Sequence, residues 1–542
     1  MEEAKKIPER GELPEETKWA LEDLYPTQES WLKELDTLKE DEKVLTSFAG
    51  RLGEDGENLY GYLHAMEEMN VKADRLGNYC MRRLDEDTRN PQSLSLQGKF
   101  MSTVVALNAA CSFDTPEIMA ISDETLEGFY RDVPKLERYR RYLTNLRRRK
   151  PHTLSAQEEK LLAAAGEMAQ LPDTAYSALA DADLKFADAV DSQGNRHPLS
   201  QGTFVLLEES TDRVLRKSAY ENLYDGFAGM RNTAAAVLNG QNQQLKFFSQ
   251  ARNYGSALEA SLDGSNVPVS VYENLIEAVH KKLPTMYRYV RLRKKLLGVE
   301  KLHFYDIYTP LMPAANRHIP FEEAKQTVID ALAPLGEEYL SLLKQGFDSR
   351  WIDVYENEGK RSGAYSAGTD VHPFVLLNYT GTLDSQFTLA HEMGHALHSY
   401  LSNKHQNPID ADYVIFVAEV ASTCNEALLM EYLLGKTTDK AERAYLINHF
   451  LDQFKGTIYR QTMFAEFERN IGKWSEEGKT LTADLLCAEY KRLTELYYGP
   501  DMEADDRIAM EWARIPHFYY NYYVFQYATG YAAAIALSRR IL

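Results

Sequence analysis

The chain has 542 residues, 44% of them hydrophobic, which is enough for a sizeable core and too long for one small domain. Its 61 Lys+Arg against 81 Asp+Glu give a net charge of -20, which disfavours nucleic acid and anionic membranes as partners and gives at most a mild preference for cationic substrates. The four cysteines (Cys80, Cys111, Cys424, Cys487) form no CxxC pair, and neither an apolar leader nor a run of about 18 apolar residues occurs, so a cytoplasmic chain with no membrane anchor is expected.

From about Pro14 to Val190 apolar residues recur at three- and four-residue spacing, as at Leu126, Phe129, Tyr130 and Val133, which predicts a helical N-terminal lobe over residues 1–190. The run AVDSQGNRHPLS (Ala189 to Ser200) is rich in turn formers and marks a boundary, with the catalytic part expected over 191–542. Tyr220 to Gln250 and Val271 to Leu297 again read as helical, the second broken or kinked at Pro284. Its basic end, Arg288 to Lys295, reads as a solvated face. LHFYDIYTPL (Leu302 to Leu311) and HPFVLLNY (His372 to Tyr379) read as strands. The intervening GKRSGAYSAGTD (Gly359 to Asp370) reads as a turn or mobile loop.

Residues 387–401 read FTLAHEMGHALHSYL. On a helix the four-residue spacing sets His391 and His395 on one face, about 6 Å apart along the axis, where one metal ion takes both imidazoles. Glu392 is rotated by about 100° from His391, so it borders the metal without binding it, as a general base must. A random chain of this composition would contain at most about 0.05 such motifs, against the alternative of an amphipathic helix with buried histidines. The metzincin pattern needs Gly at position 398 and His at 401; the chain has His398 and Leu401. His398 lies about 10.5 Å along the axis from His391, too far to share the ion, and is assigned to support or packing.

The next apolar helix, FVAEVASTCNEALLMEYLL, is interrupted by Glu419, Glu426 and Glu431. Acids in such surroundings cost several kcal/mol unless paired or metal-bound. Glu419, 24 residues after His395, is taken as the third ligand. Glu426, two turns on, is taken to orient a ligating imidazole through its other nitrogen, and an ion pair is the alternative for both. Two imidazoles and carboxylates select one Zn2+ per chain over calcium or magnesium. The expected chemistry is hydrolysis of a peptide bond, with zinc activating water and Glu392 taking its proton. Near the C-terminus, IPHFYYNYYVFQYATGY holds more phenol than a core helix needs. His517, with Tyr522 and Tyr527, is nominated to stabilise the oxyanion, and packing is the alternative for each tyrosine.

TKWALEDLYP, GAYSAGTDVHPFVLLNYTGTLDSQFTLAHEMGHALH, FVAEVASTCNEALL and RIPHFYYNYYVFQYATGY together resemble the oligoendopeptidase F family, of the thimet oligopeptidase and neurolysin superfamily, over nearly the full chain. The resemblance implies His391, His395 and Glu419 as zinc ligands, Glu392 as base, and His517 with tyrosines between Tyr522 and Tyr531 on the transition-state side. It also implies a mainly α, two-lobed ellipsoid with a deep channel and a small β-sheet beside the zinc site, admitting short unstructured oligopeptides; a monomer or small homo-oligomer is expected. HPFVLLNY is then expected to line the channel and pair with substrate backbone. A zinc carboxypeptidase of related helical fold, or a non-catalytic peptide-binding protein, is the alternative. Family members extend past the ATGYAAA helix, whereas the chain stops at Leu542, as a short or truncated variant would.

Overall fold

The computed structural model describes residues 7–312 and 318–542. Among the described residues the architecture is mainly helical with three small sheets. Contacts gather the chain into two units. The first comprises the described residues of Met1–Pro151, Asn316–Leu433 and Ala534–Leu542, the second those of His152–Ala315 and Leu434–Ala533. These units divide the chain differently from a cut at residues 190/191. The Ala189–Val190 and Arg196–His197 hairpin that occupies the expected boundary lies inside the second unit, while Phe374 and Leu376 join the apolar core formed by Trp19, Trp31 and Tyr79 in the first.

In the first unit, the helix Gly56–Glu86 buries Leu59, Tyr62, Leu63 and Leu76 on one face. The amphipathic spacing around Leu126 gives the helix Asp123–Asp132, capped by the Ser122 hydroxyl. A three-stranded sheet runs in the order Ile352–Asp353, Phe374–Leu376, Tyr365–Ala367, the first pair parallel and the second antiparallel. HPFVLLNY therefore supplies the central strand, buried throughout and hydrogen-bonded on both sides. It cannot pair with a substrate. One of the two edge strands is Tyr365–Ala367, inside the segment expected to be a turn or mobile loop, and it packs on the helix Leu383–His405.

In the second unit, the helices Arg231–Ala251, Gln461–Glu476 and Ala483–Tyr498 pack on one another. The predicted break near Pro284 falls between the helices Val269–His280 and Leu283–Leu297, with the proline in the first turn of the latter. LHFYDIYTPL is strand only at Leu302–His303, and turns at Phe304–Asp306 because the Asp306 carboxylate is tied to Arg213, Arg216 and the His303 N–H. The run Arg288 to Lys295 is not wholly solvated: Arg293 is fully buried, donating to the carbonyl oxygens of Asp306 and Thr309. Among the described residues no single helix is long and apolar enough to cross a membrane.

Candidate metal centre

The helix Leu383–His405 starts at Thr382, whose hydroxyl accepts from the Ser385 N–H, and buries Phe387, Leu389, Met393 and Leu397. That packing turns His391 and His395 to the opposite side, where their Nε2 atoms lie 3.1 Å apart. The following helix, Ile415–Lys436, brings Glu419 Oε2 to 3.3 Å from His391 Nε2 and 3.4 Å from His395 Nε2. Among the described residues these three form the one such donor cluster. A tetrahedral zinc with ligands at about 2.0–2.2 Å has donor-to-donor edges of about 3.3 Å. The spacing of the three donors fits one face of such a tetrahedron, so they could hold a metal ion.

Two members of this triangle are held by defined partners. His391 donates from Nδ1 to Glu426 Oε1 at 2.5 Å, which fixes the tautomer that presents Nε2. The Ser422 hydroxyl donates to Glu419 Oε2 at 3.1 Å. Burial opposes protonation of His391, yet the carboxylates of Glu419 and Glu426 push its imidazole up to about 10. The same imidazoles, His391 and His395, hold the Glu419 carboxyl below the usual range. A cation held by the three atoms would take the place of that proton, since ligands bind metal in deprotonated form. Glu392 is buried and its Oε2 has no partner among the described residues. Burial pushes its carboxyl up, against the pull of the two imidazoles, toward the range useful to a base. His398 stacks on Tyr413 with ring centroids 3.8 Å apart, a packing role, and Glu431 is exposed.

Two contributors carry no catalytic signature in the sequence. Gly394 sits where the two helices touch: an added Cβ would lie 2.5 Å from Ser422 Cα and 2.9 Å from Ser422 N. Only glycine permits that approach, which brings Glu419 to the histidines. Asn425, buried on the second helix, donates to the Ala390 carbonyl and accepts from the Tyr339 hydroxyl, riveting one helix to the other. Gly394 resembles any helical glycine in a motif, but a buried polar Asn425 amid apolar neighbours is a readable signal.

In the second unit His517 is half-buried on the turn Pro516–Tyr519, and its Nε2 lies 3.5 Å from the Tyr527 hydroxyl. Burial and Arg460 push its pKa down, favouring the neutral ring. Tyr522 is enclosed instead. Only 4% of it is exposed, its backbone is left-handed (φ 59), its N–H donates to Glu468, and its hydroxyl fills the space left by Gly472. That is the packing environment weighed for each tyrosine.

A helix-borne pair of imidazoles closed by a carboxylate, with a buried carboxyl beside them, defines a metallopeptidase site. The model of Peptidase family M3 matches residues 206–541, and that described as Oligopeptidase F matches 117–186. Oligopeptidase PepF of Bacillus subtilis is 42% identical over 99% of this chain and 81% of its own. An oligoendopeptidase F homolog of Lactococcus lactis is 39% identical over 98% of this chain and 89% of its own. The crystal structure of oligoendopeptidase-F from Enterococcus faecium superposes with a TM-score of 0.71 at 37% identity, covering 95% of this chain and 88% of that one. The chain belongs to peptidase family M3 and is a metalloendopeptidase of the oligoendopeptidase F kind.

Proposed function

We propose that the chain is a zinc-dependent endopeptidase that hydrolyses internal bonds of short unstructured oligopeptides. The observation that carries the reading is the triangle of His391 Nε2, His395 Nε2 and Glu419 Oε2, whose edges of 3.1, 3.3 and 3.4 Å match one face of a zinc tetrahedron. When bound, zinc would polarise the scissile carbonyl and acidify water. The remaining steps fall to side chains. Glu426 holds the His391 ring by its Nδ1–H, so that Nε2 stays aimed at the metal. Glu392 takes the proton of the attacking water at its free Oε2 and returns it to the leaving amine. His517 and Tyr527, already within reach of each other, are the proposed donors to the developing oxyanion. Tyr522 acts by packing against Gly472 rather than by donating.

The free edge of Tyr365–Ala367, on the strand that packs against the His391 helix, suits backbone pairing with an extended peptide. All the proposed site residues lie within 191–542, which we keep as the functional division. A cytoplasmic location and a monomeric or small homo-oligomeric state belong to the same proposal. Mass spectrometry of products from a decapeptide tests the reading: fragments from internal cuts support it, and a ladder losing one C-terminal residue at a time would replace it with a carboxypeptidase.

A further inference from the structure

The first unit contains a cavity of about 810 Å3 that the chemistry above does not use. Ser399 and Asn403 of the His391 helix form one wall, and Ser366 and Gly368, at the end of the edge strand, form another. Asp74, Asp370 and Asp412 line it, and no Lys or Arg does. Asp370 is held by Arg75, and Asp74 accepts from the Asn78 amide. Among the described residues no cation bonds to Asp412, and Asp74 feels Arg75 and Arg82 only from outside the lining. Burial and the charges of Asp370 and Asp412 push the Asp74 carboxyl up to about 7, against the opposing pull of Arg82 and Arg75. The hydroxyl of Ser366 is buried with no partner among the described residues. Met66, Val71 and Ile409 add an apolar floor.

An apolar floor that ends in acidic side chains, with no lysine or arginine in the lining, is complementary to a long aliphatic stem with a cationic tip. We propose that this cavity is a specificity subsite for a lysine or arginine side chain of the peptide substrate. The proposal rests on the peptidase reading above and specifies which peptides it favours. Ser399 and Asn403 stand about 6 and 12 Å along the helix axis past His395, and an extended peptide advances about 3.3 Å per residue. The cationic residue therefore lies about two to four residues from the scissile bond.

The test measures binding, so that it is independent of turnover. Fluorescent nonapeptides carrying a single lysine at successive positions, or norleucine in its place, each with free or acetylated N-terminus, are titrated by anisotropy against the zinc-loaded full chain carrying Glu392→Gln. At one position about two to four residues from the cut, lysine should bind roughly tenfold more tightly than norleucine, with either N-terminus. Adding Asp74→Asn with Asp412→Asn should bring that ratio close to one, while Asp36→Asn, on an exposed helix face, should preserve it. A ratio near one at every position, a ratio that survives the double substitution, or a preference abolished by acetylation would each overturn the assignment. Cleavage by the unsubstituted chain is scored separately, so the peptidase reading and the subsite fail by different results.

Discussion

Gly394 of the His391 helix meets Ser422 of the Glu419 helix backbone against backbone, with no room between them for a single methyl group. The metal triangle depends on that approach, because Glu419 lies three residues before Ser422 on the same helix. Gly394→Ala must push the helices apart, a form of overpacking that costs about 1–3 kcal/mol in a well-packed core. We expect a lower Tm together with reduced zinc content after dialysis, measured by atomic absorption. Unchanged zinc content would show that the helix spacing does not set the site.

Glu419 and Glu426 should differ in degree. Glu419→Ala removes a donor atom, whereas Glu426→Ala leaves three donors and frees only the His391 ring. Loss of such a supporting carboxylate typically costs 10–100-fold in metal affinity. Zinc competition with a chelator should therefore rank Glu419→Ala as the weaker binder, and the reverse order would exchange the two roles.

His517→Ala and Tyr527→Phe should leave zinc content intact. Each removes a proposed oxyanion donor, for which losses of about 100- to 1,000-fold in kcat are typical. Tyr522→Phe, by contrast, should act mainly on stability, since its phenol is enclosed. Steady-state kinetics on a quenched peptide, with zinc measured on the same samples, separates these outcomes.

Stability should fall as pH rises from acid toward neutral, in part because of two buried acids in the second unit. Glu208 is wholly buried with both carboxyl oxygens lacking a partner among the described residues, and Glu468 has one such oxygen. Burial holds both well above the ordinary 4.5. The folded chain then retains protons that the unfolded chain loses. The neutral forms' contribution is full below about pH 4.5 and declines above it, by up to about 1.4 kcal/mol per pH unit for each group until the folded chain itself titrates. Glu208→Gln should reduce that decline between pH 5 and 8 in urea unfolding. An unaltered slope would show that Glu208 does not stay protonated.

The parts of the site set by local periodicity are readable in the sequence. The spacing of His391, Glu392 and His395 needs only a helix, and Glu419 and Glu426 stand out as acids in an apolar one. What depends on long-range contacts is not. HPFVLLNY reads as a strand, but its central position is set by Ile352–Asp353, too short to leave any alternation. Arg293 reads as part of a basic surface because the carbonyls that bury it come from residues 306 and 309, beyond the helix. Tyr522 and Tyr527 look alike in sequence. Gly472, fifty residues earlier, encloses one of them.

The central claim is that Glu392 moves protons at a site assembled by His391, His395 and Glu419. Glu392→Gln keeps the side-chain shape and removes the base. On a quenched fluorogenic oligopeptide, with zinc measured on the same preparation, this variant should retain its metal and lose nearly all cleavage. A zinc-loaded Glu392→Gln chain that cleaves at close to the unsubstituted rate would contradict the account.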